Sequence, residues 1–353
     1  MKTQHLIIRI TTVCLLLAGL STQAQKLKKN QYPTPLIEQR ADPFVTRAAD
    51  GTYYFIATVP EYDRIEIRKA PSIAALAQAP AVVVWRKHAS GPMGNHIWAP
   101  EMHRIDGKWY IYFAAGSAKD KWAIRMYALS NSSEDPTTGQ WVEEGQVKSH
   151  RDEFALDATT FEVNGQRYMI WADRASSTVV NTGLYIAHMT SPTTLGDKQV
   201  VITQPEYDWE IKKYRVNEGP AVLVRNGKVF LTFSASATDA NYCMGMMWAN
   251  ADADLLDPAA WHKLDKPVFY TNESLKRFGP GHNSFTVAED GKTDVMIYHA
   301  RDYKDITGDS LYDPNRHTRA RVVKWNADGT PDFGQELNDQ EMALKKAPKK
   351  KKK

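Results

Sequence analysis

Cysteine is nearly absent from this chain: Cys14 and Cys243 are its only two among 353 residues. Cys14 falls in an N-terminal segment built like an export signal. That leaves Cys243 alone in the mature chain, so no internal disulfide is available and stability must come from packing. Long hydrophobic runs are missing too. Val13–Leu20 is too short to cross a bilayer, which needs about 20 apolar residues, and this argues against stable membrane insertion. No excess of one charge sign marks a nucleic-acid binder. The net charge is +4, and much of it sits in the run Lys345–Lys353, which reads as a solvated basic tail over 341–353. No Pro/Gly-rich linker and no low-complexity segment divides the rest, so a single domain is expected over residues 25–340.

Met1–Ala24 has the parts of a secretory signal. Lys2 and Arg9 supply positive charge, Val13–Leu20 is the apolar core, and Thr22-Gln23-Ala24 gives small residues for cleavage. No lipobox-like Leu-Ala-Gly-Cys accompanies Cys14, so a soluble exported protein, periplasmic or secreted, is expected.

What is abundant is aromatic and β-forming sequence: ten Trp and sixteen Tyr within a hydrophobic content of 42%. Five Asp/Asn-Gly pairs punctuate it, at Asp50-Gly51, Asp106-Gly107, Asn164-Gly165, Asn226-Gly227 and Asp290-Gly291. Such pairs between β-rich runs are the strongest short-range hairpin signal, because a tight I′ turn needs φ > 0 at both central residues. Each is followed by an apolar strand such as Trp109-Tyr110-Ile111-Tyr112-Phe113 or Val229-Phe230-Leu231-Thr232-Phe233. Helical pieces are short, over Ser72–Ala79 and Asp254–Trp261. A hairpin recurring about every 60 residues without helical periodicity predicts an all-β, five-bladed β-propeller, with the active site at one end of its central channel.

Counting back eight or nine residues from each glycine reaches Asp42, Trp98/Ala99, Asp157, Glu218 and His282/Asn283. In a propeller, residues at one repeat phase meet at one end of the channel, however distant in sequence. Asp42, Asp157 and Glu218 have small or apolar neighbours (Ala41, Leu156, Ala158, Gly219), so partial desolvation and mutual repulsion should raise at least one pKa. Two carboxyls with separated pKa values are what acid/base cleavage of a glycosidic bond requires.

The motifs Ala41-Asp42-Pro43-Phe44, Trp98-Ala99-Pro100-Glu101, Leu156-Asp157-Ala158, Asn217-Glu218-Gly219-Pro220 and Gly279-Pro280-Gly281-His282-Asn283-Ser284, in this order, resemble glycoside hydrolase family 43. The resemblance covers about residues 38–334. It implies Asp42 as general base, Glu218 as general acid and Asp157 as the acid that tunes and orients the donor. It implies inversion, with base and acid carboxyls roughly 6.5–9.5 Å apart. Propellers that retain configuration carry Asn-Asp-Pro, Arg-Asp-Pro and Glu-Cys motifs, which this chain lacks. The resemblance also implies that His282 binds a central calcium ion, with no organic cofactor.

The segments 59–66, 96–101 and 312–319 look most like the α-L-arabinofuranosidase members, with arabinose-containing oligo- or polysaccharides of plant cell walls as substrates. By that resemblance Trp98 walls the sugar pocket and Arg319 approaches the sugar or Glu218, with Tyr62 and Trp122 at the rim. The expected activity is exo-acting release of terminal α-L-arabinofuranosyl residues from arabinan or arabinoxylan. The alternatives are a β-xylosidase of the same family and a non-catalytic glycan-binding propeller.

Overall fold

The computed structural model describes residues 32–174 and 181–343, so the predicted export signal and the lysine run lie outside the described residues. The backbone forms five small antiparallel sheets. Four have four strands each, in simple meander order: β1–β4 (Ala41–Arg47, Tyr53–Thr58, Arg64–Ala70, Ala81–Arg86), β5–β8 (Asn95–Ile105, Lys108–Gly116, Arg125–Asn131, Val142–Gln146), β9–β12 (Ala155–Val163, Gln166–Asp173, Gly183–Ser191, Thr194–Thr203) and β13–β16 (Asn217–Arg225, Lys228–Ala235, Cys243–Asn250, His262–Lys263). The fifth has β17–β19 (Phe278–Val287, Asp294–Arg301, His317–Val322), followed by the small hairpin β20–β21 (Lys324–Trp325, Pro331–Asp332). The first strand of each sheet touches the first strand of the next, and β17 touches β1, so the five inner strands close into a ring. This is the five-bladed propeller the repeat predicted.

The apolar second strands follow from this ring. Side chains alternate across a strand, and both faces of every blade are covered by neighbours. On β2, Tyr53, Phe55 and Ala57 pack toward Val295 and Ile297 of the fifth blade, while Tyr54 and Ile56 pack toward Met102 and Ile111 of the second. The same division gives one apolar layer in each of the remaining three gaps between blades. The turns are as local as the sequence suggested. Asp106-Gly107, Asn164-Gly165 and Asn226-Gly227 have φ > 0 at both residues, as a two-residue I′ hairpin demands. The other two, at Asp50-Gly51 and Asp290-Gly291, are longer loops in which only the glycine has φ > 0. The expected helical pieces are single 3₁₀ turns, Ala74–Gln78 and Pro258–Ala260.

The chain's N-terminal side seals the ring. Ile37 bridges antiparallel to Thr318 on β19, with Leu36 N donating to Thr318 O (2.8 Å) and Thr318 N to Ile37 O (2.9 Å). A segment that precedes the first blade thus completes the last one, and Ile37 is buried in the layer between them. Replacing Ile37 by Ala should cost about 2–5 kcal/mol, as buried Ile truncations do. The thermal midpoint should fall by several degrees; an unchanged midpoint in a calorimetric scan would show that this seam does not hold the ring.

Candidate active site

Each inner strand breaks its register with the second strand at the same place, and at each break one residue has left-handed backbone. The five are Asp42 (φ 53°), Ala99 (43°), Asp157 (56°), Gly219 (53°) and His282 (42°). The phase predicted from the sequence is therefore off by one in the fourth blade. Gly219, not Glu218, is the counterpart of Asp42, Asp157 and His282, and Glu218 stands one residue ahead of it. Glycine suits that position: a Cβ would stand 3.0 Å from the His282 ring, closer than an ordinary contact.

A left-handed bulge turns one backbone N–H out of the ladder, and a buried N–H needs an acceptor. Four of the five find one on a side chain of the preceding blade. Ala99 N donates to Thr58 Oγ1 (2.7 Å), His282 N to Ser234 Oγ (2.6 Å) and Asp42 N to His299 Nδ1 (3.1 Å). Thr58, Ser234 and His299 occupy matching positions on β2, β14 and β18, opposite Ala41, Glu218 and Gly281. In the third blade that position is Ala172, and Gly219 N donates instead to Asp157 Oδ2 (3.0 Å). Asp157 is tied directly to the bulge that carries Glu218.

Asp42, Asp157, Glu218 and His282 line one small chamber of about 80 Å³, walled by Trp98, Leu156, Thr238, Leu311 and Arg316. Their surroundings separate the acids. Burial pushes Asp42 up, but His282 (Nδ1 3.3 Å from Oδ1) and Arg316 (Nη1 3.3 Å) outweigh it and hold the carboxyl well below the usual range. Thr58 adds a hydrogen bond to the ionised form. Burial likewise works against a charge on His282, yet Asp42, Asp157, Glu218 and Glu101 together raise its pKa. Glu218 goes the other way. Burial first and the Asp157 charge second push it up to about 7, against a hydrogen bond from Tyr242 Oη to Oε1 (2.7 Å). Asp157 is raised mainly by burial, opposed by His282. One carboxyl is kept ionised and another protonated in the same chamber.

The chamber opens into a wider cleft of about 320 Å³ that shares Trp98, Leu156, Glu218, Thr238 and Leu311 with it. Trp98 lies between the two spaces, stacked on His96 (ring centroids 4.2 Å, 16°) and braced edge-on by Tyr62 (5.6 Å, 86°). Trp122, half exposed, lines the outer cleft. Tyr62 is not at the rim. It is buried behind Trp98, donates from Oη to Leu311 O and accepts from Arg316 Nη2 (3.1 Å). Arg319 does not reach the chamber either. It is buried against Asp302 and Asp339 on the far side of the last blade's third strand, and the arginine at Asp42 is Arg316. Both lie in the segment 312–319; the sequence carried no sign of which one turns inward. Tyr242 and His299 were also missed. The one sequence trace of Tyr242 is Gly281, where a Cβ would stand 2.5 Å from the tyrosine ring.

The profile of the glycosyl hydrolases family 43 matches residues 32–331. The chain belongs to glycosyl hydrolase family 43. It is 58% identical over 303 residues to an extracellular exo-alpha-(1->5)-L-arabinofuranosidase of Streptomyces avermitilis, covering 86% of this chain and 63% of the relative. It is 54% identical over 278 residues to one from Streptomyces chartreusis, covering 79% and 85%. The crystal structure of an alpha-L-arabinofuranosidase from Lactobacillus brevis superimposes with a TM-score of 0.84 at 52% identity, over 87% of this chain and 98% of that one. The chain thus spans less than two thirds of the Streptomyces avermitilis relative, but nearly the whole of the Lactobacillus brevis structure.

For a family 43 chain an axial cation near His282 must be tested against the residues present. Among the described residues no three His, Cys, Asp or Glu side chains converge as metal ligands. His282 Nδ1 faces Asp42, so an ion would be held by Nε2 of a neutral His282 that keeps its Nδ1–H toward Asp42, together with water, which a hard cation tolerates.

The raised pKa of Glu218 fixes a sign for stability. Between about pH 4.3, where an unfolded Glu titrates, and about pH 7, the folded state holds the extra proton. Stability therefore falls as pH rises through that window. Glu218→Gln, isosteric with the protonated acid, should match the parent's thermal midpoint at pH 4 and exceed it by a few degrees at pH 8. Equal midpoints at both values would show that Glu218 titrates normally.

Proposed function

We propose that this family 43 protein is an exported, inverting, exo-acting α-L-arabinofuranosidase that removes terminal arabinofuranosyl units from arabinan or arabinoxylan. The observation that carries the reading is the opposed state of two carboxyls on one chamber, Asp42 held ionised and Glu218 held protonated. A small chamber opening into a wider cleft suits an enzyme that takes one terminal ring and leaves the rest of the chain outside. The choice of arabinofuranose rests on the names of the relatives, and export on the residues of Met1–Ala24 and on relatives called extracellular.

In this reading the Asp42 carboxylate takes a proton from the water that attacks the anomeric carbon. Glu218 gives its proton to the departing glycosidic oxygen, so the C–O bond breaks without expelling an alkoxide. Asp157 acts on Glu218 in two ways: its charge raises the donor's pKa, and its Oδ2 fixes the Gly219 amide beside it. Arg316 and His282 balance the charge of Asp42 while it is an anion. When bound, a calcium ion beside His282 would add positive field along the axis; the proton transfers belong to Asp42 and Glu218.

Proton NMR of a reaction with an aryl α-L-arabinofuranoside should show β-L-arabinofuranose as the first-formed product. Release of the α anomer first would rule out inversion. Glu218→Ala should slow cleavage of natural linkages by about 10²–10⁴-fold while sparing aryl glycosides with good leaving groups; equal losses on both would remove Glu218 from the donor role. The kcat/KM profile should fall as pH rises through about 7. In Asp157→Asn, which keeps an acceptor for Gly219 N but loses the charge, that limb should move to lower pH. A limb that stays in place would separate Asp157 from donor tuning.

A further inference from the structure

His299 is fully buried on β18 and belongs to neither of the two spaces described above. Its Nδ1 accepts the Asp42 N–H at 3.1 Å. A backbone amide can only donate, so Nδ1 carries the lone pair and the ring proton sits on Nε2. Among the described residues the buried Nε2 has no hydrogen-bond partner. Leaving a buried donor unsatisfied is destabilising, and an apolar ring of the same shape would avoid that cost. The other ring nitrogen must therefore do something an apolar side chain cannot.

Asp42 has φ 53°, where a non-glycine residue is uncommon and held only by its surroundings. The register break between Ala41 and Phe44 takes the Asp42 N–H out of the β1–β2 ladder, so His299 is its acceptor. The matching bulges at Ala99 and His282 use hydroxyls, Thr58 and Ser234. Only the blade that carries Asp42 is met by an imidazole. The ring has a second contact that a hydroxyl could not make. It lies parallel to Tyr242 (centroids 5.6 Å, 4°), and Tyr242 Oη donates to Glu218 at 2.7 Å. One side chain thus touches the backbone of Asp42 and the phenol that holds Glu218.

We propose that His299 is the positioning residue for the pair: its Nδ1 locks the bulge that aims Asp42, and its ring face sets Tyr242 and hence Glu218. This rests on Asp42 as base and Glu218 as acid. Two substitutions separate its functions. His299→Phe keeps a ring against Tyr242 and loses the acceptor. His299→Asn places an amide oxygen near the Nδ1 position and loses the ring.

With an aryl α-L-arabinofuranoside and correctly folded variants by circular dichroism, His299→Phe should lose about 100-fold in kcat, the scale of a small misplacement of a reacting group. Its KM should be little changed, and His299→Asn should recover much of the rate on this aryl substrate, which needs little protonation, but stay slow on a natural arabino-oligosaccharide because the ring that sets Tyr242 is gone. Azide supplies the deciding readout, because it needs no base. Its nitrogen bonds to the anomeric carbon as the C–O bond to the aryloxide breaks. Azide should therefore restore turnover in His299→Phe, as in Asp42→Ala, with a β-configured glycosyl azide as product, whereas Tyr242→Phe, which disturbs the acid, should be slow on natural linkages and gain nothing from azide. Parental turnover in His299→Phe overturns the proposal, as does a loss that azide leaves unchanged or that His299→Asn does not relieve. Should His299→Phe fail to fold, His299→Ala takes its place in the same azide comparison. An inactive parent enzyme would instead defeat the reading of function, so the two failures are distinguishable.

Discussion

The site depends on one backbone event repeated around a ring: a bulge on each inner strand that throws a residue into left-handed φ and frees its amide from the ladder. A regular antiparallel strand would send alternate side chains into the two gaps between blades, where the apolar layers lie. The bulge instead carries Asp42, Asp157 and His282 to the axis. The freed amides need acceptors, and side chains of the preceding blade supply four of them, three from one matching position on the second strand. Where Ala172 removes that option, the Asp157 carboxylate substitutes and becomes bonded to the bulge beside Glu218. The geometry of the acids is thus a consequence of hydrogen-bond satisfaction between blades.

The electrostatics follow from what shares the chamber with each acid. All three carboxyls are pushed up by burial, so burial alone would not separate them. Asp42 has the His282 and Arg316 charges beside it, and their combined effect reverses the sign. Glu218 has Asp157 as its largest charge influence and a neutral phenol as its hydrogen-bond donor, so its shift stays upward. Two groups of nearly equal intrinsic acidity acquire opposite states through a few neighbours drawn from different blades.

Much of this was legible in the sequence because the signals are local and repeat. The Asp/Asn-Gly pairs report backbone requirements that any sheet would impose, and their spacing gives the number of blades. The motifs around Asp42, Asp157 and Glu218 share a repeat phase, which is why residues 176 positions apart could be brought to one place before any coordinates. The phase itself was good to one residue only, since the loops at Asp50-Gly51 and Asp290-Gly291 are longer than the two-residue turns of the other three blades. Residues off the inner strands were harder. Arg316 stands in the loop before β19, outside the repeat, and Arg319, three positions on, had equal claim until the strand showed it facing Asp302 and Asp339. Tyr62 carried no mark that it would brace Trp98 from behind.

What the chain determined by itself is the architecture and the three acids, because hairpin turns and strand patterning act over a few residues and are written in adjacent letters. What the tertiary structure decided is which carboxyl holds a proton, which arginine turns inward, and that His299 and Tyr242 join the two halves of the site. Those outcomes depend on Coulomb and hydrogen-bond terms that act over a few ångströms between blades, at contacts such as Asp42 with His299 that the sequence places 257 residues apart.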